Sequence, residues 1–348
     1  MYGYLRDTTL DRLTPRRTSL SFLLISVNRR RFITLAVGAG SLLGWPGILP
    51  KSLARVERKS WALGTDVSLV VYHEDGAIAE RAMSTAFKAL DDIENVLSLY
   101  RPQSQICRLN CDGVLNQPHP DLVQVLRTAI IWSRLTDGAF DPTVQPLWEL
   151  YAQGGVPDAD RLQAARQLVD WGKAEVDDHR VRLGPGQAVT LNGIAQGFAA
   201  DRLRDVLKAH GIRYALANTG EFGAISHKPE GDTWRIGIQH PRVPDAHVAL
   251  AELDDRFLAT SGDYETKFSE DFSSNHIFDP ATGRSPTTLS SVTVIAPTGL
   301  DADSLSTAIF VLGPDKGLEL AASRSGVEAL MVLKDGDLVF TPNFPRCA

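Results

Sequence analysis

The chain has 348 residues, 43% of them hydrophobic and 22% charged, and a net charge of −6 at pH 7. That supplies enough apolar sequence for a sizeable core, while the acidic balance and the lack of a basic patch with interleaved aromatics beyond the N-terminus exclude a nucleic-acid footprint. Three cysteines make no disulfide framework: Cys107 and Cys111 are four apart and could pair in an oxidising compartment but have no neighbouring His for zinc, Cys347 sits near the C-terminus, and all three read as structural or incidental.

The N-terminal stretch has its own pattern. Asn28-Arg29-Arg30-Arg31-Phe32-Ile33-Thr34 precedes an apolar, Gly- and Ala-rich run over residues 35–49, followed by Ser52-Leu53-Ala54. The run is too short and too glycine-rich for a transmembrane helix, and the small-x-small tripeptide suits signal peptidase. The pattern resembles a twin-arginine export signal cleaved after Ala54, with an uncleaved membrane anchor as the alternative. Residues 1–27 form a long lead before the arginines, consistent with a start codon placed too early. The expected division is therefore a leader over residues 1–54 and one folded domain over 55–348, delivered to a bacterial periplasm.

Within the mature part, alternation of apolar and polar residues over 61–72 predicts a first strand. Ile78, Ala82, Ala86, Leu90, Ile93 and Leu97 recur at helical spacing and predict a long amphipathic helix over 77–99, with Asp91, Asp92 and Glu94 on its solvated side. The chain then turns at Pro102 and places Tyr100 and Arg101 at a loop mouth. A second helix is expected over 121–136, an extended segment at Ala139-Phe140-Asp141-Pro142-Thr143, a third helix over 157–169 and a strand over 171–177.

Residues 181–191 read as a strand pair turned at Gly184-Pro185-Gly186. Ile194, Phe198, Leu203, Val206 and Leu207 then recur at helical spacing until His210-Gly211, which makes Asn192-Gly193 a strand-to-helix junction. Free backbone N–H groups and the helix dipole would make such a junction an anion site, with Gly193 and Gly197 leaving room for a ligand; the alternative is that Asn192 merely caps the helix and the glycines permit close packing. Further strands are expected over 214–218, 222–226, 234–239, 248–253 and 257–260 in an antiparallel meander, then a strand over 291–296, a helix over 303–312 and a hairpin turned at Asp335-Gly336. The fold class is α+β, one domain with a largely antiparallel sheet and packed helices.

Four more stretches combine Gly with hydroxyl or carboxylate groups at strand ends: Asn218-Thr-Gly-Glu-Phe-Gly223, Ala259-Thr-Ser-Gly-Asp-Tyr-Glu265, Asn275-His-Ile-Phe-Asp-Pro-Ala-Thr-Gly283 and Asp301-Ala-Asp-Ser-Leu-Ser-Thr307. Asp303 and Thr307, four apart on one helix face, offer oxygens to a hard cation such as Mg²⁺; considered alone, Asp303 reads first as a capping or dipole-compensating residue. His276 could by itself be an ordinary hydrogen-bonded histidine.

In this order, from Leu63 to about Leu312, the stretches resemble the ApbE family of FAD:protein FMN transferases. The resemblance implies a single α+β unit that binds FAD, as substrate, and Mg²⁺, and that joins the FMN half of FAD by a phosphoester bond to a Thr or Ser of another protein, releasing AMP. It implies FAD contacts at Leu63, Tyr100, Ala139, Phe140, Asp141, Thr190, Gln196 and Phe278. Gly193 would lend a backbone carbonyl to the metal, Asp303 and Thr307 would be its side-chain ligands, and His276 would be catalytic, with Asp279 an alternative proton acceptor. The chain departs from the family at Thr190, commonly Asp, at Gln196, commonly Lys or Glu, and at Ser306, an acid in some members. The changes at Thr190 and Gln196 leave open a flavin-binding protein without transferase activity; the other alternative is a pyrophosphatase that splits FAD into FMN and AMP, with water in place of the acceptor. The chain carries no acceptor motif of the D-G-x-T/S-G-A-T/S kind, so the expected partner is a separate flavin-accepting protein, by resemblance one of a membrane respiratory complex with a periplasmic flavin domain.

Overall fold

The computed structural model describes residues 53–154 and 157–347, so residues 1–52 of the expected leader lie outside the described residues. Ala54, assigned above to the leader, is the first residue of β1 (Ala54–Ala62), which pairs with β2 (Thr65–His73) from Ala54↔His73 to Ala62↔Thr65. The turn residues Leu63 and Gly64 have φ of 52° and 74°, the doubly positive geometry of a type I′ turn whose twist matches the two strands. The single strand expected over 61–72 is thus two arms of a hairpin, with the turn concealed by an alternation that continues through it.

α1 (Gly76–Leu97) starts at Asp75, whose carboxylate accepts the N–H groups of Ala77 and Ile78. The loop expected next instead contains α2 (Gln105–Asp112), capped by Ser104 and ended by left-handed Gly113; it buries only Ile106 and Leu109, too few for a legible period. β3 (Val114–Asn116) leads to α3 (Pro120–Leu135), then to α4 (Gln145–Ala152), which sequence periodicity did not disclose, and α5 (Ala159–Arg166).

The strand expected over 171–177 shrinks to a 3₁₀ turn followed by β4 (Glu175–Val176). β5 (Arg180–Arg182) pairs with β3 and β4, so the expected hairpin over 181–191 has no second arm. Side chains and loops take up that backbone instead: Val189 N–H donates to Asn110 Oδ1 at 2.7 Å, and Thr190 N–H to the Pro142 carbonyl at 2.8 Å.

α6 (Ala195–Ala209) is followed by β6 (Tyr214–Asn218), β7 (Phe222–Ile225), β8 (Trp234–Gln239), β9 (His247–Leu253), β10 (Phe257–Gly262) and β11 (Leu289–Ala296). α7 (Gly299–Leu312), α8 (Pro314–Ala322), β12 (Glu328–Leu333) and β13 (Leu338–Phe340) complete the order. The main sheet runs β1-β2-β6-β7-β10-β11-β12-β13 with every neighbouring pair antiparallel. β8 and β9 leave the expected meander and form their own ribbon.

The departure of that ribbon has a packing cause. Trp234, Ile236, Ile238, Ala251 and Leu253 of the ribbon cover Leu216, Phe222, Leu258, Ile295 and Leu330 on one face of the sheet. α1, α3, α6 and α7 cover the other face, around Leu69, Ala86, Phe198, Phe257, Val292 and Leu305. β11, buried along its whole length between these layers, accordingly has an unbroken apolar and hydroxyl sequence. The fold is α+β with antiparallel sheets, and it carries the N-termini of α6 and α7 to the end of β10.

Candidate active site at the crossing of two helices

Gly197 of α6 and Gly299 of α7 meet backbone to backbone. A β-carbon on Gly197 would lie 2.1 Å from the Gly299 carbonyl oxygen, and one on Gly299 would lie 2.1 Å from the Gly197 carbonyl oxygen. Only glycine permits that approach at either position.

The crossing places each helix's aspartate over the other's first turn. Asp303 Oδ2 accepts Gly197 N–H at 2.8 Å, and the Gln196 N–H also donates to this carboxylate. Asp201 returns the arrangement, accepting Gly299 N–H at 3.0 Å on Oδ1 and Leu300 N–H at 2.9 Å on Oδ2. The remaining first-turn amides are satisfied locally: Ala195 N–H donates to Leu191 O, Phe198 N–H to Ile194 O, and Asp301 N–H to Thr298 Oγ1.

Two expectations are corrected here. Asn192 does not cap α6, since the N-cap is Ile194 and its side chain makes no capping bond. Nor are the first-turn amides of α6 free for an anion, because Asp303 takes those of Gln196 and Gly197, and Leu191 and Ile194 those of Ala195 and Phe198. Asp303 is a capping residue, though not of its own helix, whose N-cap is Thr298.

Around Asp303 the neighbours are hydroxyls and one more acid. A β-carbon on Gly193 would sit 2.8 Å from Thr307 Oγ1, so the Gly193 backbone lies against that hydroxyl. Ser261, near the end of β10, holds Ser306 Oγ at 2.8 Å and Thr307 Oγ1 at 3.1 Å, and Ser306 donates to the Asp303 carbonyl at 2.9 Å. Glu221, 7% exposed, accepts Thr260 N–H at 2.9 Å and faces Asp303, which is 3% exposed.

Burial holds both carboxyls above the usual carboxylate range; at Glu221 the charge of Asp303 adds to the effect, and at Asp303 the α6 amides oppose it. Neither carboxylate pairs with a lysine or arginine among the described residues. Two buried acids flanked by hydroxyls and a backbone turn form a hard-oxygen donor set that could hold a cation.

The other expected residues fall on two flanks. On one, Gln196 Nε2 reaches the Leu63 carbonyl at 3.5 Å, and a β-carbon on Gly220 would lie 2.6 Å from Gln196 Cδ. Leu63 N–H is fixed by Glu94 at 2.8 Å, Glu94 also takes the Arg101 guanidinium at 2.5 Å, and the exposed Tyr100 ring borders Gly64. On the other flank the loop after α3 carries Ala139, Phe140 and Asp141. The buried Phe140 ring would touch a β-carbon on Gly193 at 3.5 Å. Asp141 accepts Thr143 N–H at 2.7 Å, Thr143 Oγ1–H at 2.6 Å and Trp171 N–H at 3.3 Å, and burial pushes its carboxyl up to about 6 against those bonds. Thr190 joins this loop through Pro142.

His276 follows a loop that leaves β10. Its N–H donates to Thr266 O at 3.0 Å, and Nδ1 lies 3.3 Å from the same oxygen. Asp279 is committed elsewhere, accepting Ala281 N–H at 2.9 Å and Thr282 Oγ1–H at 3.0 Å in the next turn. The Phe278 ring, 3% exposed, packs against Tyr151 at 5.1 Å and Phe268 at 6.2 Å between centroids, so the side chain belongs to the core. Glu221, Ser261 and Asp201 were not singled out by sequence reasoning. Glu221 and Ser261 lie inside stretches quoted above, where the signal was the glycines and not these partners, and Asp201 lies in the helical run that follows Gly197.

Residues 63–331 match the ApbE family. The FAD:protein FMN transferase of Haemophilus influenzae is 31% identical over 292 residues, 78% of this chain and 84% of that protein. The FAD:protein FMN transferase of Escherichia coli K12 is 33% identical over 268 residues, 71% of this chain and 75% of that protein. Among solved structures, the flavin transferase ApbE from Vibrio cholerae superposes with a TM-score of 0.74 at 28% identity, covering 84% of this chain and 98% of that one. The apo form of the Pseudomonas stutzeri flavinyl transferase ApbE does so with 0.73 at 34% identity, covering 83% and 94%. The chain belongs to the ApbE family.

Proposed function

We infer that this chain is an FAD:protein FMN transferase that moves the FMN half of FAD to a Thr or Ser hydroxyl of an acceptor protein. In the reaction the acceptor oxygen forms a bond to the FMN phosphorus, the pyrophosphate P–O bond breaks, AMP leaves, and the hydroxyl proton passes to a base. The observation that carries this reading in the structure is the buried pair Asp303 and Glu221, without a cationic partner among the described residues, beside Thr307 and Gly193. Burial without a cationic partner disfavours the ionised form of both carboxyls, and a cation between them and a substrate pyrophosphate would favour that form and be shared with the phosphates.

The donors fit Mg²⁺, which takes oxygen ligands and suits carboxylates that also meet substrate phosphates. Asp303, Thr307 and the Gly193 carbonyl would hold it. When bound, the ion would neutralise charge on the departing phosphate. The chain's own contribution is orientation. Leu63, Tyr100 and Gln196 on the one hand, and the 139–141 loop with Phe140 beside Gly193 on the other, would contact the FAD. His276 is the proton acceptor we favour, because an imidazole is suited to neutral pH and Asp279 is spent on its own turn.

Incubating the full chain with FAD, Mg²⁺ and a candidate acceptor tests this. Transfer yields a fluorescent acceptor band and stoichiometric AMP. Free FMN with AMP would identify a pyrophosphatase, and neither product would identify a flavin binder; both outcomes refute transfer.

We further propose export by the twin-arginine route to a periplasm, where the acceptor would be a flavin domain of a membrane respiratory protein. Support comes from Arg29, Arg30 and Arg31 before the apolar run. Replacing all three by Lys removes the guanidinium forks and should retain folded precursor in the cytoplasm. Undiminished periplasmic yield would point to another route.

A further inference from the structure

We propose that Asp201 is a positioning residue for the cation site, fixing through α7 where Asp303 and Thr307 stand against Gly193. The inference rests on the reading of Asp303 and Thr307 as cation ligands.

The ligand set comes from two separate pieces of backbone. Gly193 belongs to the turn that leads into α6, and that turn is closed by the Ala195 and Ile194 N–H groups donating to Leu191 O. Asp303 and Thr307 belong to α7, one and two turns beyond its start. A cation bridging these pieces needs their separation set in advance, since an error at the start of a helix is carried along it as a rigid displacement.

Two carboxylates span the gap between the N-termini. Asp303 is one of them, but its lone pairs would be shared with the cation. Asp201 is independent of the cation, and it grips the first two amides of α7 with separate oxygens at 3.0 and 2.9 Å. Two bonds to successive amides restrain rotation as well as distance. Arg204 completes the grip: it donates to Asp201 Oδ1 at 3.3 Å and to the Pro297 carbonyl, just ahead of α7, at 3.2 Å.

α7 does not need Asp201 merely to begin, because Thr298 already caps it by accepting Asp301 N–H at 3.1 Å. That separates a positioning role from a capping role. Loss of Thr298 Oγ1 weakens the helix start while leaving the clamp between the helices in place. Loss of an Asp201 oxygen loosens the clamp and leaves the local cap in place.

The test uses the full chain without flavin and Mn²⁺ as the probe, with free Mn²⁺ followed by electron paramagnetic resonance and thermal melting run in parallel. Asp201→Asn is expected to weaken Mn²⁺ binding about tenfold or more, the scale seen when an outer support of a metal ligand is removed. The Mg²⁺ concentration for half-maximal turnover should rise with it. Thr298→Ala is expected to melt lower and to keep wild-type Mn²⁺ affinity. Wild-type affinity in Asp201→Asn, or equal weakening in Thr298→Ala for the same loss of melting temperature, overturns the proposal. Should Asp201→Asn not fold, Arg204→Met serves in its place, and unchanged Mn²⁺ affinity in that folded variant also overturns it. Asp303→Asn distinguishes the underlying reading: if it too binds Mn²⁺ like the wild type, the cation site itself is wrong, whereas loss there with full binding in Asp201→Asn removes only the positioning role.

Discussion

Asp201 and Asp303 each accept first-turn amides of the helix that carries the other, across 98 and 106 positions of sequence. The two helix starts are thereby one structural unit, and the candidate cation ligands are distributed over it. Substitutions at Asp303 accordingly combine a stability effect with a chemical one.

Asp303→Ala should lose the cap of α6, at about 1–2 kcal/mol, together with cation-dependent turnover. Asp303→Asn keeps an acceptor oxygen for the Gly197 amide and should recover much of the stability without recovering the turnover. Thr307→Ala should show the same loss of turnover more weakly, since a neutral hydroxyl binds a hard cation less well than a carboxylate. Urea denaturation and AMP release across a Mg²⁺ titration measure the two effects separately. Normal turnover in folded Asp303→Asn would remove the metal role.

Gly197→Ala should be among the most damaging single changes in the protein. Its new methyl would lie 2.1 Å from the Gly299 carbonyl oxygen and 2.7 Å from Asp303 Cβ, and backbone cannot swing aside as a flexible side chain can. We expect a loss of about 3 kcal/mol or more, or no soluble folded protein, by chemical denaturation. A neutral result would mean the helices do not cross this closely.

Asp141 gives a pH signature. Its carboxyl is held at about 6 against an ordinary 3.8, so the folded state binds the proton more tightly than the unfolded state does. That stabilisation is complete below about pH 4 and is lost as pH rises through about 6, amounting to about 3 kcal/mol over the window. Asp141→Asn abolishes the titration and adds a constant cost, because an amide NH₂ now meets the Trp171 N–H or the Thr143 donors. The difference between wild-type and variant stability, followed by denaturation at several pH values, should slope between pH 4 and 6 and be level above about pH 7. A level difference throughout would show that burial does not perturb this carboxyl.

Phe278→Ala tests whether the ring serves packing or flavin. Removing a buried aromatic from the cluster with Tyr151 and Phe268 should cost about 3–5 kcal/mol. Under conditions where the variant remains folded, FAD affinity by fluorescence quenching should stay close to wild type. A large loss of FAD affinity without loss of stability would show that the ring meets the flavin.

Much of the architecture was already present in the one-dimensional pattern. α1, α3 and α6 follow apolar periods of helical kind because one face of each is buried, and β8 alternates for the same reason, whereas β6, β7, β11 and β12 are covered on both faces and are legible as short apolar runs. The β1–β2 turn was missed because alternation passes straight through Leu63-Gly64, and α2, α4 and α8 because short helices bury too few residues to show a period. The glycines of the site were visible too, since close approach demands them wherever they stand.

What the sequence by itself determined, then, is the set of elements with a continuous buried face, the motif order of the family and the residue types able to hold a hard cation. Which residue caps which helix was decided only in three dimensions. Asp303 reads locally as a cap for its own helix, yet Thr298 has that place and Asp303 serves α6. Phe278 sits within a catalytic-looking motif, yet its ring belongs to a core cluster formed with α4 and α5. Glu221 becomes a partner of Asp303 because the end of β6, the start of β7 and α7 converge. A hydrogen bond between residues about a hundred positions apart leaves no period and no local motif, so only the packing of α6 on α7 could reveal it.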